Sequence, residues 1–168
     1  NFMNEQCYYR ISVKGIVVND EGKFLLSKEE NGMWELMGGG LEHNEDPIEG
    51  LKREIHEETG LEVTYVSDSP IYFVTSPRLD RDTFLANVIY EIKLKDLDFT
   101  PSDECVELRY FSVEEAKKEK LFPNVINFLK VYNPATDAFE SDIMLDDFSP
   151  SYITVDNNKM YVAGHDSE

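Results

Sequence analysis

The sequence predicts an α/β fold of the α+β kind: one mixed domain over residues 1–132, followed by an acidic extension over 133–168. Three observations predict it. The chain has 168 residues, the size of one domain with a short appendage. Segments rich in β-branched and aromatic residues recur between a few helical patterns. Hydrophobic residues make up 41% and aromatics 12%, enough for a core and too much for global disorder.

Each element has its own signal. Tyr8–Val18 reads as a strand, Asn19-Asp20-Glu21-Gly22 as a turn, and Lys23–Ser27 as the return strand of a hairpin. Trp34–Leu36 is short and apolar and runs into Gly38-Gly39-Gly40, where backbone can approach closely. Asp46-Pro47-Ile48-Glu49 combines an N-cap acid, a proline at N1 and a glutamate at N3, a capping-box arrangement. Gly60 supplies the expected stop, so a helix spans Pro47 to Thr59. Glu62–Thr75 and Thr83–Leu94 read as strands joined by the polar loop 76–82, and Val106–Phe111 as a further strand. Ser112–Lys120 reads as helical, with Ser112 as N-cap and Glu115 three residues on. Asn124–Val131 is a last short helix preceded by Pro123. In the extension, Ser151–Val155 and Met160–Val162 read as short strands.

Charge excludes several function classes. With 34 acids and 16 basic residues the net charge is −18, which opposes a basic patch for duplex nucleic acid or an anionic membrane. No apolar run approaches the roughly 20 residues of a membrane span. Asn1–Arg10 lacks a basic segment followed by an apolar one, so no signal peptide is expected, and Met3 is a candidate native start. Cys7 and Cys105 form no C-x-x-C pair, and His43, His56 and His165 are scattered. Neither a Cys/His zinc site nor a disulfide framework is expected, in keeping with a cytoplasmic protein. Both cysteines read as small packing residues.

The predicted helix carries the chemistry. At about 100° per residue, Glu54, Glu57 and Glu58 fall near 0°, −60° and +40° and share one arc. Leu51, Ile55 and Ile48 form a separate apolar stripe about a quarter-turn away. Glu54 and Glu58 are like charges at i,i+4, which repel by a few tenths of a kcal/mol. Two readings stay open: a solvated charged face, or hard oxygen ligands converging on Mg²⁺ beside a glycine loop. Arg53, adjacent to Glu57 on the wheel, is suited to orient a carboxylate.

Gly39-x5-Glu45-x7-Arg53-Glu54-Ile55-His56-Glu57-Glu58-Thr59-Gly60-Leu61 resembles the signature of the Nudix hydrolases at every fixed position. Phe24-Leu25-Leu26 with Trp34-x-Leu36 is similar to the family's lead-in, and Glu104 through Phe111 to its late strand. The resemblance covers about residues 8–132. Met37 stands where the family often has proline before the glycine pair, and Asn44 where it commonly has glycine. Both are positions of loop shape.

The resemblance implies an α/β/α sandwich with a mixed sheet, the box forming a loop–helix–loop. It implies hydrolysis of a nucleoside diphosphate linked to another group, with Mg²⁺, or Mn²⁺ in its place. Carried over, Glu54, Glu57 and Glu58 resemble the metal ligands, joined by the Gly38 carbonyl, and Glu54 also resembles the base that activates water. Arg53 resembles the residue that holds the catalytic glutamates, Glu45 its supporting acid, and Glu104 a further acid supplied from a loop. Gly39 and Gly40, with Lys28, Arg78 and Phe73, are the substrate-contact candidates. Arg10 and Arg81 are further candidates for phosphate. Surface or core roles are the competing readings for all these basic and aromatic residues, Trp34 included. His43 and His56 read as a loop residue and a solvent-facing one, and Glu107 as a strand-edge charge.

The expected substrate leans toward ADP-ribose or a nucleotide sugar, because Pro77 lies where ADP-ribose hydrolases of the family tend to carry a proline. Neither a coenzyme A motif nor an NADH-type SQPWPxPxS motif is present. Sanitisation of nucleoside triphosphates, a nucleotide-binding module without catalysis, and an acidic interaction protein centred on the tail are the alternatives. Intact box glutamates favour catalysis. A homodimer is compatible with the resemblance.

Overall fold

A computed structural model describes residues 8–134, 150–156 and 159–164. The chain separates into two compact units, Asn1–Ala135 and Thr136–Glu168. Cys7, His165, the candidate start Met3 and most of the acidic extension lie outside the described residues.

In the first unit, β1 (Tyr9–Ile16), β4 (Val63–Val66), β5 (Tyr72–Pro77) and β6 (Phe84–Leu94) form a mixed sheet. β6 is the axis: β1 pairs with it in parallel on one edge, and β4 and β5 pair antiparallel with it. A smaller antiparallel sheet has β2 (Phe24–Lys28) between β3 (Trp34–Glu35) and β7 (Glu107–Phe111). Helix α1 (Pro47–Thr59) packs beside β1 and β4, α2 (Val113–Ala116) beside β7, and α3 (Pro123–Phe128) beside β5 and β3. In the second unit, β8 (Pro150–Asp156) and β9 (Lys159–Gly164) form an antiparallel pair.

The core has two parts. Val13, Leu25, Met37, Leu51, Ile55 and Ile92 pack on the α1 side. Ile16, Phe24, Trp34, Val74, Phe111 and Phe128 pack on the other, where α2 and α3 lie. The apolar stripe of α1 is thus buried as its spacing predicts, with Leu51 and Ile55 inaccessible and Ile48 packed partly against them. Its ends follow from chemistry. Asp46 Oδ1 accepts from the Ile48 and Glu49 amides at 3.0 and 3.1 Å, and Gly60 closes the helix at φ +73° with its N–H on the His56 carbonyl. Among the described residues the reciprocal half of a capping box is not made here: Glu49 turns to Lys52 at 2.9 Å. The complete box is at α2, between Ser112 and Glu115.

Four expectations need correction. The Asn19–Gly22 turn forms, yet β1 and β2 do not continue as a hairpin. They share only a bridge between Val18 and Phe24, then diverge, because β1 satisfies one edge on β6 and the other on residues 37–41, and β2 satisfies its edges on β3 and β7. The single strand expected over Glu62–Thr75 is two, β4 and β5, both paired to β6. Ser67 and Ile71 still donate to the Glu91 and Ile89 carbonyls of β6, and the chain leaves the ladder between them, over 68–70, which contains Pro70, a residue with no N–H to donate. The helix expected to Lys120 stops as α2 at Ala116 and continues in turns, and the helix expected over Asn124–Val131 is α3, with Pro123 inside its first turn. No helix among the described residues is long and apolar enough to cross a membrane.

Candidate active site

The glycine loop is a sheet edge. Val13 and Gly15 donate to the carbonyls of Gly39 and Met37, each at 2.9 Å, and Leu41 donates to Ile11 at 3.1 Å, so residues 37–41 run beside β1. Gly38 has φ +107°, and a Cβ there would collide with the Val13 carbonyl and the Leu51 side chain. Gly38→Ala is therefore expected to lower stability by about 2–4 kcal/mol, read as a drop in thermal midpoint. A Cβ on Gly39 would stand 2.7 Å from the Glu54 carboxyl carbon, so this glycine lets α1 bring Glu54 against the loop. The two departures from the family pattern are also accommodated. Met37 is fully buried in the α1-side core, and Asn44 takes the left-handed conformation at φ +64°, which asparagine tolerates better than most residues.

Arg53 organises the acids of α1. Its Nε and Nη2 donate to the two oxygens of Glu45 at 2.7 and 2.9 Å, and Nη1 donates to Glu54 at 2.7 Å and Glu57 at 3.1 Å. The Arg53 hydrogen bonds, with the Glu42 amide, hold the Glu45 carboxyl down at about 2. Glu58 is set apart. It is partly buried, and its Oε2 accepts from the Gly38 amide at 3.2 Å. Burial pushes its carboxyl up to about 7, while Lys14 and the Gly38 amide work against the shift and Glu104 and Glu35 add to it.

Glu58, Glu104 and Gly38–Gly40 line a cavity of about 820 Å³. Arg10, Ser12 and Lys14 of β1 form one wall, Glu29, Glu35 and Asn31 another, and Ser76 to Arg81 a third. Phe122, Pro123 and Asn124 border it as well. A polar chain runs through these walls. Lys14 Nζ lies 3.6 Å from Glu35 Oε1, which accepts from Asn124 at 2.6 Å, and Asn87 bonds Ser76 at 3.1 Å.

The structure brings some sequence candidates to the cavity and leaves others away from it. Arg10, Arg78, Arg81 and Glu104 line it, although Arg78 is held by a two-point pair with Asp80 at 2.7 and 2.8 Å. Lys28 is not in its lining: it pairs with Glu107 at 3.3 Å and lies over the Trp34 ring. Phe73 is 62% exposed and alternates along β5 with buried Val74 and Ser76, so it points away from the wall that Ser76 forms. Trp34 is core, and His56 is exposed. The Cys105 thiol is buried and pushed up to about 11, first by burial and then by Glu58, which suits a packing residue and not a nucleophile.

The three box glutamates do not converge in this conformation. Glu54 and Glu57 are drawn to Arg53, Glu57 with 60% of its side chain exposed, and Glu58 to Gly38. Among the described residues no three acidic, histidine or cysteine side chains are grouped closely enough to hold a metal ion. The donor chemistry nonetheless fits a hard divalent cation, since every candidate ligand is a carboxylate or carbonyl oxygen: Glu54 lies against Gly39 and Glu58 on Gly38, although Glu54 and Glu57 are not in the cavity lining.

Sequence reasoning missed Lys14, Glu35, Ser12 and Asn124. A signal for the first existed: Arg10, Ser12 and Lys14 alternate along a strand whose following residues are apolar, which places all three on one face.

Comparison with known proteins follows the same segment. The NUDIX domain family model matches residues 8–132. A MutT-like protein of Streptomyces ambofaciens is 46% identical over 56 residues, covering 33% of this chain and 36% of the relative. An RNA pyrophosphohydrolase of Saccharophagus degradans is 35% identical over 81 residues, 44% of this chain and 48% of the relative. The chain thus spans between about a third and a half of the length of these curated relatives. The solution structure of the Escherichia coli ORF135 protein superposes with a TM-score of 0.60 at 26% identity, covering 74% of this chain and 88% of that one. The family match runs through the whole of the sheet, α1 and the glycine loop that frame the cavity, and the chain belongs to the Nudix family.

Proposed function

We propose that the protein is a Mg²⁺-dependent pyrophosphohydrolase that cleaves a phosphoanhydride bond in a nucleoside diphosphate linked to another group. The observation that carries this reading is the Arg53-centred acid cluster of α1 set against a glycine loop at the edge of a cavity of nucleotide size. Glu54, Glu57, Glu58 and the Gly38 carbonyl would hold the ion, with Mn²⁺ as a substitute, and Glu104 would add a further carboxylate. When bound, the ion neutralises phosphate charge and aligns the attacking water.

The chain's own residues do the rest. Arg53 orients Glu54 and Glu57 while Glu45 orients Arg53. Glu54 accepts the proton of the attacking water. Gly39 and Gly40, with no side chains, let the Glu54 carboxylate and the Arg10 guanidinium lie against the loop, and Arg10 and Arg81 in the cavity lining meet the phosphate charge. Pro77 in the cavity wall agrees with a lean to ADP-ribose or a nucleotide sugar. The names of the relatives, aligned over less than half of the chain, support the reaction class more than any one substrate.

The test is a panel of ADP-ribose, nucleotide sugars, nucleoside triphosphates and 5′-triphosphorylated RNA, incubated with and without Mg²⁺. Release of phosphate-containing products only with the metal is expected, fastest on a nucleoside diphosphate conjugate. No metal-dependent turnover on any member would sink the enzyme reading, and a preference for triphosphates would favour the sanitising alternative.

A further inference from the structure

Lys14 has no role in the reading above, yet it holds the most constrained position in the cavity. Its side chain is 6% exposed. Nζ donates to the Leu36 carbonyl at 3.0 Å and to the Gly38 carbonyl, and it lies 3.6 Å from Glu35 Oε1. One glycine residue therefore serves two side chains: its N–H binds Glu58 and its carbonyl binds Lys14. The charges around the ammonium are acidic, with Glu35 nearest and Glu58 and Glu29 also within its electrostatic reach. A buried ammonium persists only where oxygens satisfy it, and this one is satisfied by backbone oxygens on the edge that faces Glu58.

We infer that the Lys14 ammonium is a built-in placeholder for the divalent cation at the Gly38 carbonyl, and that the two cations exclude each other there. This rests on the metal-site reading above and adds a residue to it. Two cations on one carbonyl oxygen repel strongly in a partly buried site, whatever the lone pairs allow. In the metal-free protein Lys14 holds the glycine loop in register with β1 and offsets the charge of Glu35 and Glu58. When a divalent ion takes the carbonyl, the ammonium moves into the cavity. Exclusion is reciprocal, so the resident lysine weakens metal binding by the same factor by which metal displaces the lysine.

Calorimetric titration with Mn²⁺ tests this in three proteins: wild type, Lys14→Gln, which keeps a donor without the charge, and Lys14→Arg, which keeps the charge. Lys14→Gln is expected to bind Mn²⁺ about tenfold or more tightly than wild type, with Lys14→Arg at or below the wild-type affinity. Equal or weaker binding by Lys14→Gln overturns the inference. Absence of Mn²⁺ binding in both wild type and Lys14→Gln would instead remove the metal-site reading, and this inference with it. A second measurement needs no variant. Acetylation of Lys14 in the wild-type protein, followed by mass spectrometry, is expected to rise on addition of Mn²⁺, and an unchanged or reduced yield overturns the inference.

Discussion

Glu58→Gln is expected to lower kcat/KM by at least about 100-fold without lowering the stability of the metal-free protein. Both halves follow from its position. As a proposed ligand beside the glycine loop, Glu58 contributes a charge that glutamine lacks. As a partly buried carboxyl pushed up to about 7, against 4.5 when free, it destabilises the fold whenever it is ionised. Between those two values the folded chain binds more protons than the unfolded one. The contribution of Glu58 to stability is therefore fully present below pH 4.5, is lost as pH rises to about 7, and stays lost above it. That loss is on the order of 3 kcal/mol. With EDTA present, wild type should lose thermal stability across this window, and Glu58→Gln should lack that component and melt at or above wild type at pH 8. A variant that keeps full activity, or that melts below wild type at pH 8, would refute the assignment.

Arg53→Lys is expected to lower kcat by about 10²–10³ with KM changed by no more than about threefold. Arg53 meets Glu45 through two nitrogens and Glu54 and Glu57 through the third, a fork that an ammonium cannot reproduce. The substitution keeps the charge and loses the geometry, so a kcat effect isolates positioning. Glu45→Gln should show a smaller loss of the same kind, and the double variant should be no worse than Arg53→Lys, since both act through one network. Additive losses, or a loss carried by KM, would show that Arg53 does not orient the glutamates. Glu45 also gives an acid-side signature. Its carboxyl is held down at about 2 by Arg53, so the stability it contributes is present above pH 4.5 and fades as pH falls toward 2.

Helix α1 was the most legible part of the chain because its information is local. The aspartate that caps it, the proline at its first position, the glycine that ends it and the apolar stripe at 3.6-residue spacing all lie within Asp46–Gly60, and each acts on its near neighbours. The strands were legible as strands but not as partners. The turn at Asn19–Gly22 is a hairpin turn by composition, and competition from residues 37–41 for the edge of β1, and from β3 and β7 for the edges of β2, ends the hairpin after one bridge. The same holds for Lys28 and Phe73. Each is a residue type that binds nucleotides, but which face of its strand meets the cavity depends on register with a distant partner.

By itself the sequence determined the family, the position of α1, the order of acids on it and the need for glycine in the loop before it. Those are properties of residue type at fixed spacing. Only the tertiary structure decided how the acids divide their partners. Arg53 takes Glu54 and Glu57 because α1 sets them beside its Nη1, while Glu58 goes to Gly38 because the loop is stitched to β1. It also decided that a lysine from the first strand stands among them, 24 residues away in sequence from the carbonyl it holds. Spacing along a helix says which side chains share a face. What they touch there is set by segments that long-range pairing brings alongside, and burial then fixes the charge each group can keep.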